Sequence, residues 1–267
     1  EVFGRDTTLE PEHLQSLLLV VTRNTTTDSA WPISSNPAAM FNDPSYSNCN
    51  LRIPLWQLVR ASTAAPVYVP PEVIKVDPND PDQDFVFVDG GTTPYNNPAF
   101  LMYRMATSPA YRLGWDSGEK NLLVVSVGTG SAPKLGTDAE DPEQNLAAAA
   151  AHTLSALMNQ AAFDQDVNCR TLGRCNHGSR LDLEIGDLIP RTSDNRLIPL
   201  EQDLGREFLY LRYEAELTRA GLDAMGLHDV DPDRVSKLDS TDGMDDLLRI
   251  GEKLAQQLRL EDFGSFA

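Results

Sequence analysis

One aspartate in this chain stands where a run of apolar residues gives way to two glycines: Phe85-Val86-Phe87-Val88-Asp89-Gly90-Gly91-Thr92-Thr93-Pro94-Tyr95-Asn96-Asn97-Pro98. Four uninterrupted apolar residues predict a strand buried on both faces. A carboxylate at the carboxyl end of such a strand lies where α/β sheets collect ligands. Glycines at 90 and 91 allow close approach to the carboxylate, and the Pro and Asn cluster after them predicts turns. The chemistry open to Asp89 is proton abstraction. The competing assignment is an Asp that caps its own loop by bonding the backbone two residues on. The residue types alone do not choose between them.

Other groups that could do chemistry are weaker. The three cysteines, Cys49, Cys169 and Cys175, are odd in number and irregular in spacing, so no disulfide framework is expected. Cys169 and Cys175 near His177 match no zinc spacing, and structural thiols are the expectation. His13, His152, His177 and His228 each stand alone and are assigned to packing or surface. Gly128-Thr129-Gly130 closes a strand and could cradle a phosphate, but one such tripeptide is weak. Arg23-Asn24-Thr25-Thr26-Thr27-Asp28-Ser29 is a second polar loop after an apolar run and could line the same crevice as Asp89.

The ordered set of motifs resembles the patatin-like phospholipases. Asp89-Gly90-Gly91 followed by Asn96-Asn97-Pro98 looks like the acidic motif of that family, in which the Asp pairs with a serine nucleophile. Arg60-Ala61-Ser62-Thr63-Ala64-Ala65-Pro66 resembles the segment before it, and Leu123-Val124-Val125-Ser126-Val127-Gly128-Thr129-Gly130 the strand and turn after it. Thr171-Leu172-Gly173-Arg174 and Phe208-Leu209-Tyr210-Leu211-Arg212-Tyr213 are similar to later parts of bacterial members. The resemblance covers nearly the whole chain and implies Asp89 as the catalytic base, with Gly90, Gly91 and Asn97 supporting it. It implies no cofactor and no metal. It implies lipid or other ester substrates and a transient membrane contact.

The chain departs from that pattern in one decisive respect. No Gly-x-Ser-x-Gly occurs, and Ser131 and Ser179 follow glycines in the wrong frame. The nucleophile and the glycine-rich oxyanion loop are therefore missing from these residues. The chain, which begins at Glu1, reads as the carboxyl-terminal part of a patatin-like acyl hydrolase. The expected function is a lipid acyl hydrolase in the complete protein, with this chain inactive alone. Its partners would be its amino-terminal segment or a second copy. The alternative is a non-catalytic interaction module that keeps the fold.

Composition narrows the classes. Lys and Arg number 22 against 40 Asp and Glu, a net charge of −18. That disfavours nucleic acid, which needs cationic contacts, and gives no general attraction to anionic lipid. No apolar run approaches the ~18 residues that span a bilayer, and a cytoplasmic location is expected.

Several elements must position the site. Residues 17–21, 85–88 and 122–127 are predicted as neighbouring strands of one largely parallel sheet in a three-layer α/β/α sandwich. Residues 55–65 are expected to be helical up to Pro66, and residues 30–50 and 131–144 to be loops. The clearest helix spans 145–165, with apolar residues at three- and four-residue spacing. Residues 180–185 alternate like a half-buried strand. The hydrolase part is placed at 1–213 and a helical tail at 214–267. The tail carries a short helix opened by Asp231-Pro232 and a longer one over 241–258 with Met244, Leu247, Leu248, Leu254 and Leu258 on its apolar stripe.

Overall fold

A computed structural model describes residues 2–132, 146–237 and 240–267. The loop expected over 131–144 falls almost entirely outside them. The chain forms two compact units, Glu1–Trp115 with Ala150–Gln165 and Asp116–Ala149 with Asp166–Ala267. It mixes helices with strands in both.

The first unit holds a four-stranded sheet of β1 (Leu19–Asn24), β2 (Ser29–Ser34), β3 (Glu72–Lys75) and β4 (Asp84–Asp89), in the order β2-β1-β4-β3. All its pairings are antiparallel. Alternation along β1 sends Val20 to one face and Val21 to the other. On the first face Phe87, Ile33 and Ile74 pack with Leu58 and Ala61 of α1 (Leu55–Ser62). On the second, Val21 packs with Leu101 and Met105 of α2 (Ala99–Thr107). Leu55, Leu58 and Ala61 of α1 are buried at three-residue steps, which gives the helix one apolar stripe. The helix expected over 55–65 ends at Ser62, before Pro66 can stop it, because Ala64 N and Ala65 N turn to Ala61 O and Thr63 O instead of continuing the helical ladder.

The second unit holds β5 (Leu123–Val127), β6 (Arg174–His177) and β7 (Leu209–Tyr213), ordered β5-β7-β6 and parallel throughout. Helix α3 (Leu146–Leu172) leads from β5 toward β6 and belongs to both units. It extends seven residues past the predicted end. His152 lies on it, with its side chain outside the described part. Three further helices follow: α4 (Arg219–Ala224), α5 (Pro232–Val235) and α6 (Met244–Ala255). Asp231 caps α5 by accepting from Asp233 N, with Pro232 at the first position.

Some expectations need correction. The three apolar runs lie in two sheets, not one. Residues 19–24 and 84–89 are neighbours but antiparallel, and 123–127 belongs to the second unit. Unbroken apolar residues do not make β4 a doubly buried strand either: only Phe87 is fully buried, and Phe85, Val86 and Val88 keep part of their surface. Residues 29–34, expected to be loop, form β2, the return strand of a hairpin with β1. Residues 180–185 form no strand, because Asp182 accepts from the N–H groups of Glu184 and Ile185 and folds the segment on itself. In α6 the buried stripe is Leu247, Ile250 and Leu254, while Met244 and Leu248 are exposed.

Candidate functional site

Asp89 ends β4, and its place is fixed from three sides. Its Cα faces Thr22 of β1 across the sheet. Its N–H donates to Ala64 O at 3.0 Å, in the segment that leaves α1. Its Oδ1 accepts from Gly91 N at 2.7 Å and caps a 3₁₀ turn, Gly90–Thr92. The capping role of the aspartate is thus realised. One carboxylate oxygen is used for it, and Oδ2 has no protein partner among the described residues. Burial pushes the Asp89 carboxyl above the usual carboxylate range, and the bond from Gly91 N pulls it partly back.

Both glycines are demanded by space. A Cβ on Gly90 would overlap the Val21 carbonyl oxygen and stand 2.7 Å from its carbon. That neighbour is backbone of a paired strand and cannot swing away. A Cβ on Gly91 would meet Met158 Cε at 2.6 Å, Asn96 Oδ1 at 2.8 Å and Asp89 Oδ1 at 3.0 Å. The loop beyond is self-bonded. Thr92 Oγ1 donates to Asp89 O at 2.7 Å and Thr93 Oγ1 to Gly90 O at 2.6 Å. Asn97 is buried, accepts from Ala99 N at 3.2 Å and helps start α2. Asn96 Nδ2 donates to Met158 O of α3 at 3.1 Å.

The polar loop after β1 does not join this site. Because β1 runs antiparallel to β4, the loop lies toward the amino end of β4, where Thr25 N donates to Val86 O at 2.8 Å and Val86 N to Thr26 Oγ1 at 3.0 Å. It is a hairpin turn, and Asn24 Oδ1 caps it through Thr26 N and Thr27 N. Arg23 reaches the turn after Asp89, its Nη1 donating to Thr92 O at 3.4 Å. Thr22 and Met158 could not be read as neighbours of Asp89 from sequence, since one depends on strand direction and the other on a helix far along the chain.

Within the first unit no described serine hydroxyl bonds Asp89. Ser62, the nearest by sequence motif, donates to Val21 O at 2.7 Å. A cleft of about 240 Å³ in this unit is lined by Ser47, Cys49, Arg52, Gln57 and Lys75 and does not include Asp89.

In the second unit the Gly128-Thr129-Gly130 turn packs the sheet. Gly130 has φ near +100°, and a Cβ on it would stand 2.8 Å from Leu217. A Cβ on Gly128 would strike Arg212, whose guanidinium donates to Ser126 Oγ at 2.7 Å and pairs with Glu214. The cysteines are buried free thiols. Burial pushes Cys169 and Cys175 up to about 12, which leaves them protonated and unreactive. His177 stacks on Tyr213 with ring centroids 4.4 Å apart, and its Nδ1 is 3.5 Å from Asp262. Among the described residues no helix is long and apolar enough to cross a membrane. Compared with protein-family models and with curated proteins, the chain matches none of them.

Proposed function

We propose that this chain supplies the acidic member of a serine–aspartate acyl hydrolase acting on lipid esters. The serine and the oxyanion donors come from polypeptide outside these 267 residues. In this reading the fold belongs to the three-layer, patatin-like class, and the three buried, unpaired cysteines suit a reducing, cytoplasmic setting. The supporting observation is the Asp89 carboxylate. It is half-buried, raised in pKa, held in place through one oxygen and, among the described residues, unengaged at the other.

The chemistry follows from that arrangement. Oδ2 accepts the proton of the serine hydroxyl as its oxygen attacks the ester carbonyl. The tetrahedral intermediate collapses, and the same proton passes to the departing alkoxide. Water then repeats the sequence on the acyl-enzyme and releases the fatty acid. The Gly91 N–H fixes the carboxylate orientation throughout.

A second reading treats Asp89 as structural and the chain as an interaction module, because its Oδ1 caps a turn. Asp89→Asn separates the two. Asparagine keeps the shape and the acceptor for Gly91 N but removes the base. In the complete protein, kcat for ester hydrolysis should fall by about 10²–10⁴-fold with KM little changed. The 267-residue chain alone should turn over short-chain p-nitrophenyl esters no faster than buffer. Equal rates for the complete protein and its variant would make Asp89 a capping residue only.

A further inference from the structure

The carboxyl-terminal segment is anchored by a residue of the wrong polarity. Leu260–Phe266 forms 3₁₀ turns that pack on β6 and β7 and kink at Gly264, whose φ is +56°. Phe263 and Phe266 are only partly buried. The fully buried side chain of the segment is Asp262, 2% exposed. Asn176 Nδ2 holds its backbone by donating to Asp262 O at 3.0 Å. The carboxylate is less well served. Among the described residues its Oδ2 has no hydrogen-bond partner. It faces His177 Nδ1 at 3.5 Å and Arg259 Nε at 3.9 Å, beyond the ~3.2 Å of a good N–H···O bond. Tyr213 Oη, on the ring that stacks against His177, is likewise buried without a partner among the described residues.

A buried polar atom that makes no hydrogen bond costs free energy that hydration would return. Lifting the segment would wet Asp262, His177 and Tyr213 together, so the hydration regained works against docking. Two titrating groups then tip the balance. Burial holds His177 below the ordinary 6.5; Asp262 pulls the other way, and Arg259 and, from α3, Arg170 add to the lowering. Burial raises Asp262 above 3.8; Arg259 and His177 oppose the rise, and Glu261 adds to it. The lowered imidazole favours docking above 6.5, and that contribution is lost as pH falls through the docked value. The raised carboxyl favours docking below 3.8, and that contribution is lost as pH rises through its own docked value. Docking is therefore weakest between the two.

We propose that Leu260–Phe266 is an acid-released strap, docked on β6 and β7 at neutral pH and lifted when His177 takes a proton in the mildly acid range. Release uncovers His177 and Tyr213 at the carboxyl ends of two neighbouring parallel strands. That edge is where α/β sheets collect ligands. The device does not depend on the role of Asp89.

The test is hydrogen exchange of the 267-residue chain, corrected for the intrinsic pH dependence of exchange. The Asp262 N–H, which donates to Arg259 O at 3.1 Å, reports on the strap. Protection over 260–266 should fall at least about fivefold between about pH 7.5 and about pH 5.5, while the amides of β7 keep theirs. His177→Phe keeps a ring to stack on Tyr213 but cannot take a proton, so its strap should change by less than about twofold over the same interval. Asp262→Asn removes the buried charge and should protect the strap more strongly than the parent at about pH 7.5. A fixed His177–Asp262 ion pair predicts the opposite: protection that rises on acidification and falls in Asp262→Asn. The proposal is overturned by protection that rises or holds on acidification, by a parent-like response in His177→Phe, or by an Asp262→Asn strap no better protected than the parent's. Loss of β7 protection together with that of the strap would also overturn it, since the unit would then be unfolding as a whole.

Discussion

Replacing Gly90 with alanine should separate backbone packing from chemistry at the Asp89 turn. Gly90 does not have a positive φ, so alanine meets no conformational penalty there. The cost is steric. The new methyl would overlap the Val21 carbonyl, which also accepts the Ser62 hydroxyl at 2.7 Å. Relief requires β1 and the turn to part by roughly an ångström. Overpacking of this kind costs about 1–3 kcal/mol, and losing the Ser62 bond adds about 1 kcal/mol. Reduced entropy of the unfolded chain returns about 0.4–1 kcal/mol. The net expectation is a loss of about 2 kcal/mol, a large share of the ~5–15 kcal/mol of a typical domain. Gly91→Ala is the internal control. Its methyl meets chiefly the flexible end of Met158, so the expected loss is about 1 kcal/mol. Urea denaturation followed by circular dichroism measures both. A Gly90→Ala midpoint equal to that of the parent, or Gly91→Ala as the more damaging change, would refute the close-approach argument.

Two further outcomes are open to simple measurement. Arg174→Met should cost about 3–5 kcal/mol, because it leaves Glu119, 2% exposed and 3.1 Å from Arg174 Nη1, charged and unpaired. Adding Glu119→Gln should recover much of that loss in the same denaturation assay. Native protein should show no fast reaction of Cys49, Cys169 or Cys175 with an aromatic disulfide reagent, and all three should react after unfolding.

Legibility in the sequence followed the range of the interactions. Phe85 to Asp89 and the turn after it were readable because a strand, an Asx cap and glycines are set by neighbours in the chain. The same held for the capped α5 and for the helix through residues 146–165. Strand direction was not readable. The polar loop after β1 looked like a companion of Asp89 only on the assumption of parallel strands, and the hairpin with β2 reverses that geometry. The hairpin was hidden because residues 24–29 lack the Asn-Gly or Asp-Gly pair that marks a short turn, and Pro32 within β2 argued against a strand. β2 tolerates that proline because it is an edge strand. Nothing in the sequence marked Arg174 and Arg212 as buried. Their burial depends on Glu119 and Glu214, partners that only folding brings to them.

With Asp89 as the proposed base, its burial has opposite consequences for stability and for ester hydrolysis, and the opposition is itself testable. Its carboxyl is raised above the reference value of 3.8, first by desolvation and despite the bond from Gly91 N. Between the unfolded and folded values the native state holds the proton more firmly than the unfolded chain. The stability contributed by protonated Asp89 is therefore complete below the unfolded value and is lost as pH rises through the folded one. A base works the other way: it must be ionised, so its activity appears as pH rises through the same folded value. Other carboxylates, such as Asp187, are lowered and titrate with the reverse sign, so total stability does not isolate the effect. The difference between parent and Asp89→Asn does. That difference should move against the parent as pH rises above 3.8, and the acid limb of kcat/KM for the complete protein should rise over the same interval. A stability difference independent of pH would remove the burial argument. An acid limb centred at or below the reference value, with the stability trend intact, would keep the burial and remove Asp89 from the reaction.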